Sequence, residues 1–309
     1  MGSNSSTTFE KTLSMAISMP GVKVDRNVFL ATVFKKVDDE KMRTILAEGP
    51  IAAGCTRGEL KKLANNLVNN RTLQSSGISF AAGLPGGAAM AATIPADVIQ
   101  FFAMALRLAQ EISYIYGAED LWANDTLDDE KVTNQLVLYL GVMFSAGGAA
   151  ATLKILSSKL SQQALTKLPQ QALTKTLIYP IVKQIAKFIG VKMTKDAFAK
   201  GVSKAIPLVG GFVSGGITYV SMKPMGRRFV RTLDEASFGY TADEQQRDIE
   251  IIVDTTVEEK PTGVLSEEEV QINKLKKYKE LVDAGILSEE EFQKIKARYL
   301  TQFLSEEGA

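Results

Sequence analysis

The sequence predicts an all-α protein: a helical domain built from glycine-rich, close-packed helical hairpins, followed by a small C-terminal helical hairpin. Three observations carry this prediction. Apolar residues recur with a period near 3.6 along most of the chain and seldom alternate with period two. Helix-start and helix-stop residues bracket those stretches. The long uncharged runs are dominated by Ala and Gly, which let helix backbones approach closely.

Residues 1–13, "MGSNSSTTFEKTL", read as a flexible Ser-rich tail. They contain no apolar stretch of the kind a secretory signal needs. Without secretion, the N-x-[ST] matches at Asn70 and Asn124 carry no meaning. Gly2 with Ser6 fits the myristoylation pattern, but a plain tail explains the same residues.

Residues 38–48 and 58–69 are expected to be amphipathic helices. Thr56 opens the second, and Leu60, Leu63, Ala64 and Leu67 lie on one face at i, i+3, i+4 and i+7. Three uncharged runs stand out, at 72–96, 133–153 and 205–222. Each approaches the roughly 20 residues that span a bilayer. Gly83 with Gly87, Gly141 with Ser145, and Gly211 with Gly215 are small-xxx-small pairs. Their Ala and Gly content favours tight helix packing over lipid exposure.

Pro95 suits the first turn of a helix, and Asp97 then meets the positive end of the helix dipole. That helix should run to Tyr116 and end at Gly117. Asp97, Gln100, Arg107, Glu111 and Tyr114 share one narrow polar stripe on an otherwise apolar cylinder. A solvated face is the favoured reading of the stripe. The alternative is a polar cleft in which Asp97, Gln100, Arg107 and Glu111 hold a small ligand or a reacting group.

Residues 151–204 hold ten lysines against one acid, Asp196, a net charge of +9. Ile178, Ile181, Val182, Ile185, Phe188 and Ile189 form an apolar helical stripe there, with Lys183 and Lys187 on another face. Lys183, Lys187, Lys192 and Lys195 are candidates for meeting an anionic membrane surface or a protein partner. A surface helix whose stripe lies in the core is the favoured alternative. The repeat "QQALTK", at 162–167 and 170–175, is too short to indicate a solenoid.

From Asp243 to the end there are 17 acids and nine bases, a net charge of −8. Residues 241–264 read as an acidic linker carrying Pro261 and Gly263. Beyond it, "LSEEEV" at 265–270 recurs as "LSEEEF" at 287–292. Ser266 with Glu269 and Ser288 with Glu291 have capping-box spacing, and Leu265 with Val270 and Leu287 with Phe292 have staple spacing. Leu275, Tyr278, Leu281 and Val282 form one apolar face, Gly285 stops the first helix, and Phe292, Ile295, Tyr299 and Leu300 form the second face. A two-helix hairpin over 265–300 cannot bury a core of its own. It must dock on its own domain, on a second copy or on another protein.

The hairpin sequence "LKKYKELVDAGILSEEEFQKIKARYL" resembles the SHOCT module, a short C-terminal domain. That resemblance implies oligomerisation or interaction and no catalytic role. Residues 14–240 resemble the EcsC family, through "MPGVKVDRNVFL", "SFAAGLPGGAAMAATIPADVIQFF", "RLAQEISYIYG" and "KAIPLVGGFVSGGITYVSMKPMGRRF". This implies a bacterial helical domain discussed in connection with membranes, and it offers no catalytic residue to carry over.

The composition narrows the chemistry. At 309 residues, 45% hydrophobic and 23% charged, the chain can bury a sizeable core. A net charge of +1 gives no global field for nucleic acid. The absence of histidine removes His-based triads and imidazole metal sites. A single cysteine, Cys55, permits no internal disulfide, which suits a reducing compartment. "GGFVSGG" at 210–216 lacks the Lys-Ser/Thr of a phosphate loop. The expectation is a non-enzymatic protein without metal or cofactor, in the cytoplasm or at the inner face of the membrane. Its partners would be an anionic membrane surface or membrane-bound protein and, through the hairpin, itself or another protein. The rivals are a ligand-binding or enzymatic polar stripe, and an integral membrane protein using the glycine-rich runs.

Overall fold

The computed structural model describes residues 3–74, 96–123, 130–158, 178, 181, 182, 185, 216–257, 267–283 and 287–306. Among these residues the elements are helices, with no strand. In chain order they are α1 (Ser3–Ile17), α2 (Arg26–Val33), α3 (Asp39–Glu48), α4 (Arg57–Gln74), α5 (Ala96–Ile115), α6 (Glu130–Met143), α7 (Ala149–Ser157), α8 (Gly216–Ser237), α9 (Ala242–Val257), α10 (Glu267–Asp283) and α11 (Glu289–Glu306). The all-α expectation holds.

Local chemistry sets the helix boundaries. Asp25 and Asp38 cap α2 and α3, their carboxylates accepting the N–H of Val28 at 2.9 Å and of Lys41 at 2.8 Å. The bond from the Lys41 N–H lowers the Asp38 pKa. Thr56 opens α4 as a full capping box. Its backbone N–H donates to Glu59 at 2.8 Å, and the Glu59 N–H donates to the Thr56 hydroxyl at 3.3 Å. Thr241 and Glu244 repeat the arrangement at the start of α9. Gly117 stops α5 as foreseen. With φ at +89°, it lets the Ala118 N–H reach the Ser113 carbonyl at 3.0 Å while its own N–H reaches that of Tyr114 at 3.1 Å.

Helix α5 lies at the centre, packed against α1, α2, α4, α6 and α8. Val98, Ile99, Phe101, Phe102, Ala105, Leu106, Leu108, Ala109 and Ile112 are all buried. The N-terminal tail expectation is corrected. Residues from Ser3 onward form α1, because Phe9, Leu13 and Ala16 make an apolar stripe that buries against α5. The Phe9 and Phe102 rings meet edge to face, 6.3 Å between centroids.

The uncharged run at 133–153 does not continue as one helix. It breaks at 144–148 between α6 and α7, where Ser145 takes the left-handed conformation at φ +58°. No helix among the described residues is long and apolar enough to cross a membrane. The runs at 72–96 and 205–222 fall largely outside the described residues. The glycines that are described show why the small residues are there. A Cβ on Gly141 would lie 2.6 Å from Ile181 and 3.0 Å from Ala149 of α7, and one on Gly226 of α8 would lie 2.9 Å from Val68 of α4. These contacts lie inside the protein's own core.

Residues 242–257, expected within an acidic linker, instead form α9. Ile249, Ile252 and Val253 recur at i, i+3 and i+4 and are buried. The charge run had masked this apolar stripe. Two clusters of buried side chains result. The larger involves α1 to α8, and the smaller joins Ala151 and Ile155 of α7, the α9 stripe, and the C-terminal hairpin.

Gly226→Val should lower stability by about 1–3 kcal/mol in chemical denaturation, because the new methyls must displace Val68 and Leu108. Gly58→Ala, where a Cβ would meet nothing within 4 Å, should change stability by no more than about 0.5 kcal/mol.

Candidate interaction site

The seat of the C-terminal hairpin is built from two helix faces. The α9 stripe of Ile249, Ile252 and Val253 lies beside Ala151 and Ile155 of α7. Lys154 of α7 fixes their relation. Its ammonium lies 2.9 Å from the Asp248 carboxylate, which also accepts the Tyr240 hydroxyl at 2.8 Å. Burial, and then the bond to Asp248, push the Tyr240 pKa far up, so Tyr240 stays a neutral donor.

The hairpin meets α9 through α10, and Tyr278, Leu281, Leu287, Phe292 and Ile295 are all buried in the one cluster with these faces. Of the residues singled out for assembly, Leu275 is half-buried and outside that cluster. The side chain of Tyr299 falls outside the described residues. The start of α11 follows its sequence signature closely. The Ser288 N–H donates to Glu291 at 2.9 Å, the Glu291 N–H donates to the Ser288 hydroxyl at 3.2 Å, and Leu287 and Phe292 are buried together. The matching cap at Ser266 and the stop at Gly285 lie outside the described residues.

Charge pairs rim the apolar contact. Lys274 of α10 reaches Asp254 of α9 at 2.8 Å, and Arg298 of α11 reaches Glu250 of α9 at 3.2 Å. Within the hairpin, Lys279 bridges to Glu289 at 3.0 Å and stands over the Phe292 ring at 5.6 Å. Exposed pairs of this kind contribute little stability, at most about 1 kcal/mol each, but they fix register and orientation.

The polar stripe of α5 resolves into different roles along its length. The Asp97 backbone lies in the first turn of α5, and its side chain falls outside the described residues. Gln100 and Arg107 are half-buried, whereas Glu111 and Tyr114 are fully buried, so the stripe is not a solvated face throughout. Arg71 of α4 grips Glu111 with two nitrogens, Nε at 2.7 Å, and Arg107 approaches it at 3.1 Å. The Glu111 carboxylate is thereby committed to arginine partners. The structure also places three isoleucines of the stripe in the basic segment. Ile178, Ile181 and Ile185 are buried in the main cluster, so the apolar face there belongs to the core. Lys183, Lys187, Lys192 and Lys195 lie outside the described residues.

Two features escaped sequence reasoning. Asp234 of α8 is buried and holds Arg57 at 2.9 Å and Lys61 at 3.3 Å, tying α8 to α4. Its signal was an acid on the apolar side of an amphipathic helix. Beside it, the buried Tyr116 hydroxyl has no hydrogen-bond partner among the described residues. Burial, and then the nearby Asp234 charge, raise its pKa. Tyr116 borders a cavity of about 430 Å³, together with Ser113, Lys131, Gln135, Tyr139 and Leu233. Among the described residues no group of three or more His, Cys, Asp or Glu side chains could hold a metal ion. The Cys55 thiol is buried, and burial raises its pKa, which disfavours the thiolate.

Residues 273–300 match the family model of SHOCT, the short C-terminal domain, which coincides with the docked hairpin. No curated protein and no solved structure matches the chain. The likeness of residues 14–240 to the EcsC family remains an expectation drawn from its motifs.

Arg71→Met should lower stability by about 2–4 kcal/mol, since Glu111 would keep only Arg107, and the partial exposure of Arg71 brings this below the full cost of breaking a buried pair. Leu281→Asp should unseat the hairpin by placing a carboxylate in the α9 contact. Limited proteolysis should then cut near 258–266 at least tenfold faster, while the melting of the larger cluster stays unchanged.

Proposed function

We propose that this chain is a non-enzymatic helical interaction protein. Its C-terminal hairpin is the interaction and assembly module, and its lysine-rich 151–204 segment meets an anionic membrane surface or a membrane-bound protein. The observation that carries the reading is the coincidence of the SHOCT match with a capped hairpin whose apolar face is buried together with the α9 stripe. The EcsC-like motifs of residues 14–240 agree with a helical domain lacking catalytic residues.

The arrangement of the stripe limits the kind of membrane contact. Ile178, Ile181 and Ile185 are held in the core, so lipid binding would rest on lysine charge and not on insertion of that face. Each lysine near an anionic surface contributes about 1 kcal/mol, and salt screens it. The rival ligand site on α5 is weakened because Arg71 and Arg107 occupy the Glu111 carboxylate.

Liposome flotation tests the membrane arm. The protein should float with phosphatidylserine vesicles at low salt, should be released at high salt, and should bind several-fold less as the Lys183→Glu/Lys187→Glu variant. Equal flotation with neutral vesicles, or none with anionic ones, would contradict it. Light scattering of the full chain tests the assembly arm: the mass should rise with concentration, and a monomer throughout would contradict self-assembly.

A further inference from the structure

The cavity beside Tyr116 lies where several helix ends meet. Ser113 belongs to the last turn of α5, Leu156 and Ser157 end α7, and Leu233 and Ser237 belong to the last turn of α8. Of the helices that line it, α6 alone offers its start, through Lys131 and Val132. A helix C-terminus carries a partial negative charge, so three such ends against one start leave the wall net negative. The rim has the same sign. Glu119 and Asp120 stand exposed there against the exposed Lys131, two acids to one base.

The deeper wall is uncharged. Ser113, Tyr116, Val132, Tyr139 and Leu233 are buried and bring hydroxyls beside aromatic and aliphatic surface. The Tyr139 hydroxyl interacts with Ser113 and Gln135. Tyr116 is only 6% exposed, yet its hydroxyl has no hydrogen-bond partner among the described residues. One oxygen of the neighbouring Asp234 carboxylate is likewise without a partner among them. A buried hydroxyl is costly to leave unpaired, so a molecule that pairs with it gains more here than it would at the surface.

We propose that this cavity binds a small organic cation, an amine whose ammonium donates to the Tyr116 hydroxyl oxygen and whose apolar body lies against Val132, Leu156 and Leu233. The volume of about 430 Å³ falls within the range of small-molecule sites. An anion would meet three negative helix ends and an acidic rim. A neutral molecule would gain nothing from either. The site is separate from the α5 stripe, since Asp97, Gln100, Arg107 and Glu111 do not line it, and it requires no assembly of the chain.

Three probes of similar size and different charge test this on the full chain: phenethylamine, 2-phenylethanol and phenylacetate. Each is titrated by ligand-observed nuclear magnetic resonance at neutral pH and low salt. Phenethylamine should bind with roughly millimolar Kd, as suits so small a ligand. It should bind at least tenfold more tightly than phenylacetate, with 2-phenylethanol between them. Phenylacetate binding as tightly as the amine, or no binding of the amine, would overturn the proposal.

Three variants place the ligand. Tyr116→Phe keeps the ring and removes the unpartnered hydroxyl, so it should weaken the amine at least threefold without lowering the melting temperature. Glu119→Gln should weaken the amine and Lys131→Met should tighten it, each about twofold at the exposed rim and less at high salt. Unchanged amine affinity in Tyr116→Phe would place the amine elsewhere and overturn the site. A lower melting temperature in that variant would make the hydroxyl structural and would equally overturn its role towards a ligand.

Discussion

Helix α7 is the constraint on which the C-terminal part of the molecule depends. It runs only from Ala149 to Ser157, yet it is apolar around most of its circumference. Ala149 and Leu153 face the larger cluster, and Ala151 and Ile155 face the smaller one. A short helix buried on two sides gains its stability from tertiary packing, since helices of this length are marginal alone. Gly141 sets how closely α6 approaches it, and Lys154 pins α9 beside it through Asp248. The hairpin in turn sits on α9. The chain of dependence runs from a glycine contact in the main core to the exposed charges of the last helix.

The main cluster rests on a different device. Its central helix, α5, carries Gln110 and Glu111 into the interior. A buried amide or carboxylate is costly without partners, so each dictates what lies around it. Gln110 accepts the Val24 N–H at 3.2 Å and the Trp122 indole at 2.7 Å and donates to the Val22 carbonyl at 2.9 Å, fixing the segment after α1. Glu111 requires Arg71, and this orients α4. Asp234 does the same between α8 and α4 through Arg57 and Lys61. Arg26, buried near the chain's start, donates to the carbonyls of Leu46 and Ala118 and joins the ends of α3 and α5. Apolar packing supplies the bulk of the stability, and these polar contacts select one arrangement of helices among several that would bury similar area.

What the sequence made legible follows from the range of each interaction. Caps and stops are local, so Thr56, Gly117 and the Ser288–Glu291 box could be read from a few residues. The stripe of the hairpin is local too, and so was its need for a surface. Which surface it meets is not local. The α9 face hides three apolar residues among acids, and the acidic run outweighed them in a reading by composition. The N-terminal helix was missed for a similar reason: serines at its start suggested a tail, while Phe9, Leu13 and Ala16 had value only once α5 was there to receive them. Glu111 was visible as part of a stripe, but its partner Arg71 lies 40 positions away, beyond the reach of any periodicity. The basic segment shows the same limit, because a stripe of isoleucines beside lysines reads identically whether it faces lipid or core.

Two clusters of buried side chains share α7, and the hairpin is docked and not free. Amide hydrogen exchange on the intact chain measures this most directly, because it reads the opening of each helix separately. The amides of α9, α10 and α11 should share one opening free energy, lower than that of α5. Exchange of α10 and α11 at the rate of an unstructured peptide, with α9 still protected, would contradict it.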